Sequence, residues 1–359
     1  MSGADRFADD LLEWFDVHGR KDLPWQHPRT PYRVWLSEVM LQQTQVRTVI
    51  PYFERFVEAL PTLDALADAP LDRVLGLWSG LGYYSRARNL HRAAAICVAR
   101  HGGELPRDVE ALAALPGIGR STAAAILAQA HGLRHAILDG NVRRVLARWH
   151  GVRGWPGETA VQRELWRHAE SHTPEVRVAD YTQAIMDLGA TVCVRSRPLC
   201  AACPVAAGCV ALREGTTSEL PTPKPQRRIP TRETSMLVVR DGRGRVLLER
   251  RPPAGIWARL WSVPEAEPGS DVRTLLRDRY AVRAGEPETL GGFVHSFSHY
   301  HLRVTPLVLS GEAGLPVADD ADRGWFARED LAALGLPAPV RRLLETVFED
   351  ERWREPCTA

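Results

Sequence analysis

From Asp5 to about Leu212, apolar residues recur at spacings of three and four, as in LLEWF, VWLSEVMLQQ, STAAAILAQA and DGNVRRVLARW. That period predicts helices throughout, separated by short turns marked by Gly and Pro. The stretch ELPTPKPQRRIPTRE (219–233) holds four prolines and four basic side chains with almost no apolar residues, which predicts an extended linker. Beyond it the period changes. TSMLVVR, the turn DGRG and RVLLERR read as a β-hairpin. Further strands are expected around Phe293–Leu309 and Trp325–Phe326, with helices near 271–280 and 339–348. The expected organisation is a helical domain over 1–218, a linker over 219–231 and an α+β domain over 232–359. No fixed-period repeat or low-complexity tract is visible.

Composition narrows the class. With 359 residues, 45% of them hydrophobic and 25% charged, the chain can bury two cores, so whole-chain disorder is excluded. The N-terminal segment MSGADRFADDLLEWF is acidic and amphipathic, and no run of 18 apolar residues occurs, which predicts a soluble intracellular protein. The net charge of +2 permits a nucleic-acid partner without arguing for one.

Four of the six cysteines crowd into CVRSRPLCAACPVAAGC (193–209), as Cys193, Cys200, Cys203 and Cys209 with spacing C-x6-C-x2-C-x5-C. Three readings compete. Disulfides are least suited to a cytosolic chain that already has a core. Structural zinc usually takes two CxxC-type pairs a dozen or more residues apart, and only one CxxC exists here. Four thiolates in one compact loop suit an iron–sulfur cubane, each sulfur taking one corner. Arg195 and Arg197, in the first interval, can either balance thiolate charge or contact phosphates. Cys97 reads as a buried core thiol, and Cys357 falls outside the motif.

The cysteine pattern at the end of a helical domain resembles that of the endonuclease III, or helix-hairpin-helix, superfamily of DNA glycosylases. That resemblance implies a [4Fe–4S] cluster. In LAALPGIGRSTAAAILAQA (112–130), Gly117 and Gly119 remove side chains where a helix begins. Backbone N–H groups there can approach an anion, although a plain αα turn uses the same glycines. By resemblance this is the hairpin that grips the DNA backbone.

Two carboxylates stand out. Asp139 opens the helix of ILDGNVRRVLARW, where it reads first as an N-cap. The capping N–H bonds would also hold it ionised, as a carboxylate facing a developing cation must be. Glu38 lies in TPYRVWLSEVMLQQTQV, with Thr30 as cap and Pro31 at the first helical position. It shares a face with Val34, Trp35 and Leu41, so it is either a solvated helical Glu or a desolvated one that keeps its proton near neutral pH. One proton-holding and one ionised carboxylate are what cleavage of an N-glycosidic bond needs, because the leaving base must be protonated and the sugar becomes cationic.

Five segments in order, LSEVMLQQTQV, LGYYSRARNL, LPGIGRST, LDGNVRRVLAR and the cysteine loop, look like the adenine DNA glycosylase branch of this superfamily. The resemblance runs through nearly the whole chain. It implies that Glu38 protonates adenine and then handles the water, that Asp139 stabilises or transiently bonds the cationic sugar, and that Asn141 orients the site. Trp25 and Gln42 would line the base pocket, while Gln43 and Tyr83 would wedge into the duplex as adenine flips out. The plainer reading of Tyr83 and Tyr84 is packing after a Gly turn. Strand-cutting relatives carry a lysine two residues after the last hairpin glycine. Here Ser121 stands in that place, and the absence of the amine a Schiff base requires predicts base removal without an efficient lyase step. Some adenine glycosylases have tyrosine there, which leaves the part played by Ser121 open.

In the second domain, GIWARLWSVPE (255–265) followed by FVHSFSHYHLRVTPL resembles the MutT-like domain of the same enzymes. The Nudix metal motif with its REUxEE cluster is missing after Gly255, so a reading role is expected rather than nucleotide hydrolysis. By resemblance, Phe297, Ser298 and His299 sense 8-oxoguanine opposite the adenine. HSFSHYH taken alone reads as a strand with polar edges or a metal-binding tract. The expected partner is double-stranded DNA with 8-oxoguanine:adenine mispairs, met by a monomer in the cytoplasm at the nucleoid. A lyase-competent pyrimidine glycosylase and a cluster-bearing redox sensor that cuts nothing are the rival readings.

Overall fold

The computed structural model describes residues 6–225, 228–313 and 322–350; Asp5, part of the expected linker and Cys357 lie outside them. The helices run α1 (Phe7–His18), α2 (Pro31–Leu41), α3 (Val46–Ala59), α4 (Leu63–Asp68), α5 (Leu71–Trp78), α6 (Ser85–His101), α7 (Val109–Ala113), α8 (Arg120–His131), α9 (Gly140–His150), α10 (Thr159–His172), α11 (Val178–Asp187) and α12 (Val210–Arg213). Among the described residues, no helix is long and apolar enough to cross a membrane.

The chain folds as two compact units, one of Met1–Asp68 with Asn89–Gln226, the other of Ala69–Arg88 with Arg227–Ala359. This differs from a single cut at the linker, and polar contacts explain why. Asp72 in α5 takes both guanidinium ends of Arg250, at 2.6 and 2.8 Å. The Tyr84 hydroxyl donates to the Leu336 carbonyl at 2.8 Å, and Arg88 donates to the Ala258 carbonyl at 2.7 Å. Residues 69–88 are thereby tied to the C-terminal part of the chain. At the other end, the expected linker begins inside the first unit: Leu220 is buried and its carbonyl accepts from Arg148 at 2.8 Å.

In the first unit, α2 packs on α8 and α8 on α11. Alanines make up four of the buried positions of α8 (Ala123, Ala124, Ala125 and Ala128), which keeps that helix slim where elements pack on it. Cys97 is fully buried, as expected of a core thiol, and burial pushes its pKa up to about 11. A π-helical turn, Leu188–Val192, follows α11. It brings Gly189 against the first turn of α9, where a Cβ would sit 2.6 Å from Asn141 Cβ and 3.0 Å from Asn141 Cα.

The second unit is a mixed sheet between two helices. Its elements are β1 (Thr231–Arg240), β2 (Val246–Arg250), β3 (Trp261–Ser262), β4 (Glu265–Ala266), α13 (Val272–Tyr280), β5 (Val282–Ala284), β6 (Glu288–Thr289), β7 (Phe293–Ser296), β8 (His301–Ala313), β9 (Arg323–Phe326) and α14 (Ala338–Glu349). The main strand order is β3-β2-β1-β8-β5, with β1 parallel to β8 and β1 antiparallel to β2. Side-chain alternation in β1 divides the core. Met236 and Val238 pack with Val340, Leu344 and Val347 of α14, while Leu237 and Val239 pack with Val272 and Leu276 of α13. A strand covered on both faces reads as an unbroken apolar run, which is the character of SMLVV. The region expected to be strand at Phe293–Leu309 is split into β7 and β8 by a turn in which Phe297 N–H donates to the Tyr300 carbonyl at 2.9 Å.

Gly189→Ala should destabilise the protein by about 1–3 kcal/mol, because the backbone of α9 rather than a flexible side chain must yield. Denaturant unfolding of the full chain checks this, and an unchanged midpoint would contradict the close approach.

Candidate active site and cysteine pocket

Trp25, Glu38, Gln42, Gln43, Ser121, Asp139 and Asn141, drawn from four separate stretches of chain, line one cleft in the first unit. Local chemistry sets each in place. Thr30 caps α2, its Oγ1 accepting from Arg33 N–H at 3.3 Å, and Pro31 occupies the first turn. Two turns on, Glu38 is half-buried above Val34 and Trp35, which are buried. Its Oε1 accepts from Gln129 Nε2 at 3.0 Å. Burial, reinforced by the nearby charge of Asp139 and partly offset by the Gln129 bond, pushes the Glu38 pKa up to about 7.

Asp139 caps α9, its Oδ1 accepting from Val142 N–H at 2.8 Å. The capping bonds do not depress its pKa as the sequence suggested. Burial wins and pushes the carboxyl upward, against the Val142 and Asn141 N–H groups and the charges of Arg144 and Arg143. Two carboxyls in one cleft cannot both ionise at ordinary pH without mutual cost. Burial raises both carboxyls, and the lowering influences from Val142, Asn141, Arg144 and Arg143 at Asp139 have only the Gln129 bond as counterpart at Glu38.

Asn141 Nδ2 lies 3.4 Å from Asp139 Oδ2, and its Oδ1 accepts from Arg144 at 2.8 Å. Ser121 is spoken for: its Oγ accepts the Leu138 N–H at 2.9 Å, anchoring the residue before Asp139. Arg20 and Gln183, not singled out from sequence, also line the cleft, and both donate to the buried Asp187, at 2.6 and 2.7 Å. Gln129 was missed as well. Its signal was available, since it is the one amide in the buried run of an alanine-rich helix.

Gln43 and Tyr83 both adopt the left-handed backbone region, with φ of 58° and 48°. Residues other than Gly take that conformation only when surroundings impose it, and such strain gathers at functional sites. Around Tyr83, Arg86 donates to the Leu81 and Gly82 carbonyls and lies 5.6 Å from the Tyr83 ring, while Trp78 Nε1 donates to Gly82. Tyr83 lines a cleft of the second unit together with Phe297, Ser298 and His299. Phe297 is anchored among Trp257, His295 and Tyr300 at ring distances of 5.4, 4.6 and 4.9 Å, and Ser298 and His299 stand exposed at the tip of the turn. Gly117 sits at φ 80° in the turn before α8, a conformation suited to glycine. Gly119 precedes α8 without a capping side chain, and a Cβ there would meet nothing within 4 Å, so the helix N-terminus is open.

All four motif cysteines line one pocket walled by apolar groups such as Val145, Leu188, Val192 and Leu199. Burial pushes the Cys203 thiol up to about 11 and also raises Cys209. Thiols gathered in such a setting ionise readily only against a cation. Among the described residues, no group of three or more His, Cys, Asp or Glu converges as a single metal ion would require. Helix α9 links this pocket to the cleft: Arg148 Nη1 lies 3.4 Å from Cys193 Sγ, and Arg144 donates to the Cys193 carbonyl at 2.6 Å.

Comparison with known proteins agrees with this arrangement. Residues 36–171 match the family model of HhH-GPD superfamily base excision DNA repair proteins, and residues 235–346 match that of the NUDIX domain. The adenine DNA glycosylase of Buchnera aphidicola subsp. Acyrthosiphon pisum is 34% identical over 344 residues, covering 94% of this chain and 97% of its own. The Homo sapiens adenine DNA glycosylase is 35% identical, covering 98% of this chain and 75% of its own. Among solved structures, a thermostable thymine-DNA glycosylase aligns with a TM-score of 0.53 at 27% identity, over 58% of this chain and 95% of its own. At this identity over almost the full length of the chain and three quarters or more of each relative, the chain belongs to the adenine DNA glycosylase family.

Proposed function

We propose that this chain hydrolyses the N-glycosidic bond of adenine mispaired with 8-oxoguanine, and with guanine, in duplex DNA, and that it removes the base without cutting the strand. The observation that carries the reading is the pairing of Glu38 and Asp139 in one cleft, where burial pushes the Glu38 pKa up to about 7. Glu38 gives that proton to the departing adenine as the electron pair of the C–N bond passes to the base. Asp139, held by the first turn of α9 and by Asn141, faces the oxocarbenium-like sugar and stabilises it or bonds to it transiently. Glu38, now a carboxylate, takes a proton from the water that completes hydrolysis. Trp25 and Gln42 hold the flipped base, and the strained Gln43 and Tyr83 enter the stack it leaves. Gly117 makes the turn at positive φ, and the open position of Gly119 lets the phosphate backbone approach α8.

No amine stands where a lyase nucleophile is needed, because Ser121 occupies the position and its hydroxyl is engaged with Leu138. Cys193, Cys200, Cys203 and Cys209 would hold a [4Fe–4S] cluster, which would stiffen the loop bearing Arg195 and Arg197. The exposed Ser298 hydroxyl, on a turn anchored by Phe297 and flanked by His299, suits it to accept the N–H that oxidation adds to guanine. This reading includes action as a monomer in the cytoplasm at the nucleoid, in keeping with bacterial relatives.

Glu38→Gln should lower single-turnover excision by at least about 10²-fold while leaving duplex affinity within about twofold, since only proton transfer is lost. Retained excision would refute the assignment of the acid. In the native protein, the excision rate should fall as pH rises through about 7, where Glu38 gives up its proton; a rate flat across that range would count against it. On a duplex with one adenine opposite 8-oxoguanine, strand breaks should follow only after alkali. Breaks without alkali would mean that a lyase nucleophile lies elsewhere, and equal reaction of an A:T duplex would remove the lesion-reading role from the second unit.

A further inference from the structure

We propose that Gln129 is a positioning residue that fixes on which oxygen of Glu38 the acidic proton sits. The inference rests on the reading of Glu38 as the general acid. Helix α8 buries Ala123 through Ala128 without one polar side chain, and then buries Gln129, which is 4% exposed. A buried amide is costly unless it is hydrogen-bonded, so this position makes sense only with a partner. The partner is Glu38, whose Oε1 lies 3.0 Å from Gln129 Nε2.

An amide nitrogen donates and cannot accept. In the neutral acid, Oε1 must then be the carbonyl oxygen, and the proton must sit on Oε2. Without the donor, that bias toward Oε2 is lost, and the carboxyl would spend part of its time with its proton turned away from the base. The same N–H bond strengthens once Glu38 becomes a carboxylate, so it also supports the state left after proton transfer. In the resting protein it works against burial and Asp139, keeping the Glu38 proton transferable. The other charged groups lining the cleft are Arg143 and Arg144 of α9, Arg20 after α1, Arg47 of α3 and Arg195 of the cysteine loop. None of them is hydrogen-bonded to Glu38 as Gln129 is.

The test uses the full-length protein and a duplex with adenine opposite 8-oxoguanine, with single-turnover rates taken from about pH 5 to about pH 9. Gln129→Met keeps length and volume but removes the donor. Its low-pH plateau should fall at least about tenfold, and its falling limb should move to higher pH than in the native protein, with duplex affinity unchanged. A plateau and limb identical to the native ones would overturn the proposal. Glu38→Gln, measured alongside, separates the two failures. If it still excises adenine, the acid has been misassigned and the role of Gln129 falls with it. If it is inactive while Gln129→Met behaves as native, only the role of Gln129 falls. A second measurement needs no variant of Gln129. In native protein labelled with ¹⁵N-glutamine, one side-chain amide should titrate with the midpoint of the rate profile, and that titration should vanish in Glu38→Gln. Absence of any such amide would overturn the proposal.

Discussion

The proposed mechanism depends on keeping a proton on Glu38 at a pH where a glutamate in water would have lost it. Burial against Val34 and Trp35 raises the cost of the charged form, and the neighbouring charge of Asp139 raises it further. The two effects are not independent. Moving Asp139 away would lower the Glu38 pKa, and ionising Glu38 would push the Asp139 carboxyl higher still. The two carboxyls therefore titrate as a coupled pair. A folded-state pKa above the unfolded value also means that the native state binds this proton more tightly. Stability from this group is fully present below the usual carboxylate range and is lost as pH rises toward 7.

Helix α9 is the element that holds Asp139 in place. Its N-cap is Asp139, its first turn carries Asn141, and Arg144 and Arg148 follow at intervals of roughly one turn to reach the cysteine loop. A rigid rod with the anion at one end and its anchors along one side cannot shift the anion without disturbing the loop. The small residues around it serve the same end: Gly189 admits the π-helical turn against Asn141, and the alanines of α8 keep that helix slim where elements pack on it.

Much of this was legible in the sequence because the signals were local. Thr30-Pro31 announced the start of α2, Asp139 announced that of α9, and the compact cysteine spacing marked a single pocket. Unbroken apolar runs and the DGRG turn gave the β1–β2 hairpin. What was not legible depends on long-range geometry. The capping bonds at Asp139 suggested a depressed pKa, but no spacing rule reports how deeply a cap is buried, and burial reversed the sign. Residues 69–88 read as an ordinary part of the helical domain, since the Asp72–Arg250 and Tyr84–Leu336 contacts join positions more than 170 residues apart. Ser121 and Gln129 have partners 17 and 91 residues away, so even where a lone amide in an alanine-rich run marked Gln129, neither partner could be read from its own helix.

The most direct test of the account is the titration of Glu38 itself. With ¹³C-labelled glutamate carboxyls in the full-length protein, one resonance should be missing in Glu38→Gln. In the native protein that resonance should titrate with a midpoint near 7. A midpoint in the ordinary range for glutamate, about 4.3, would mean that Glu38 is a solvated carboxylate at neutral pH. The proton on which this mechanism turns would then have to come from another group.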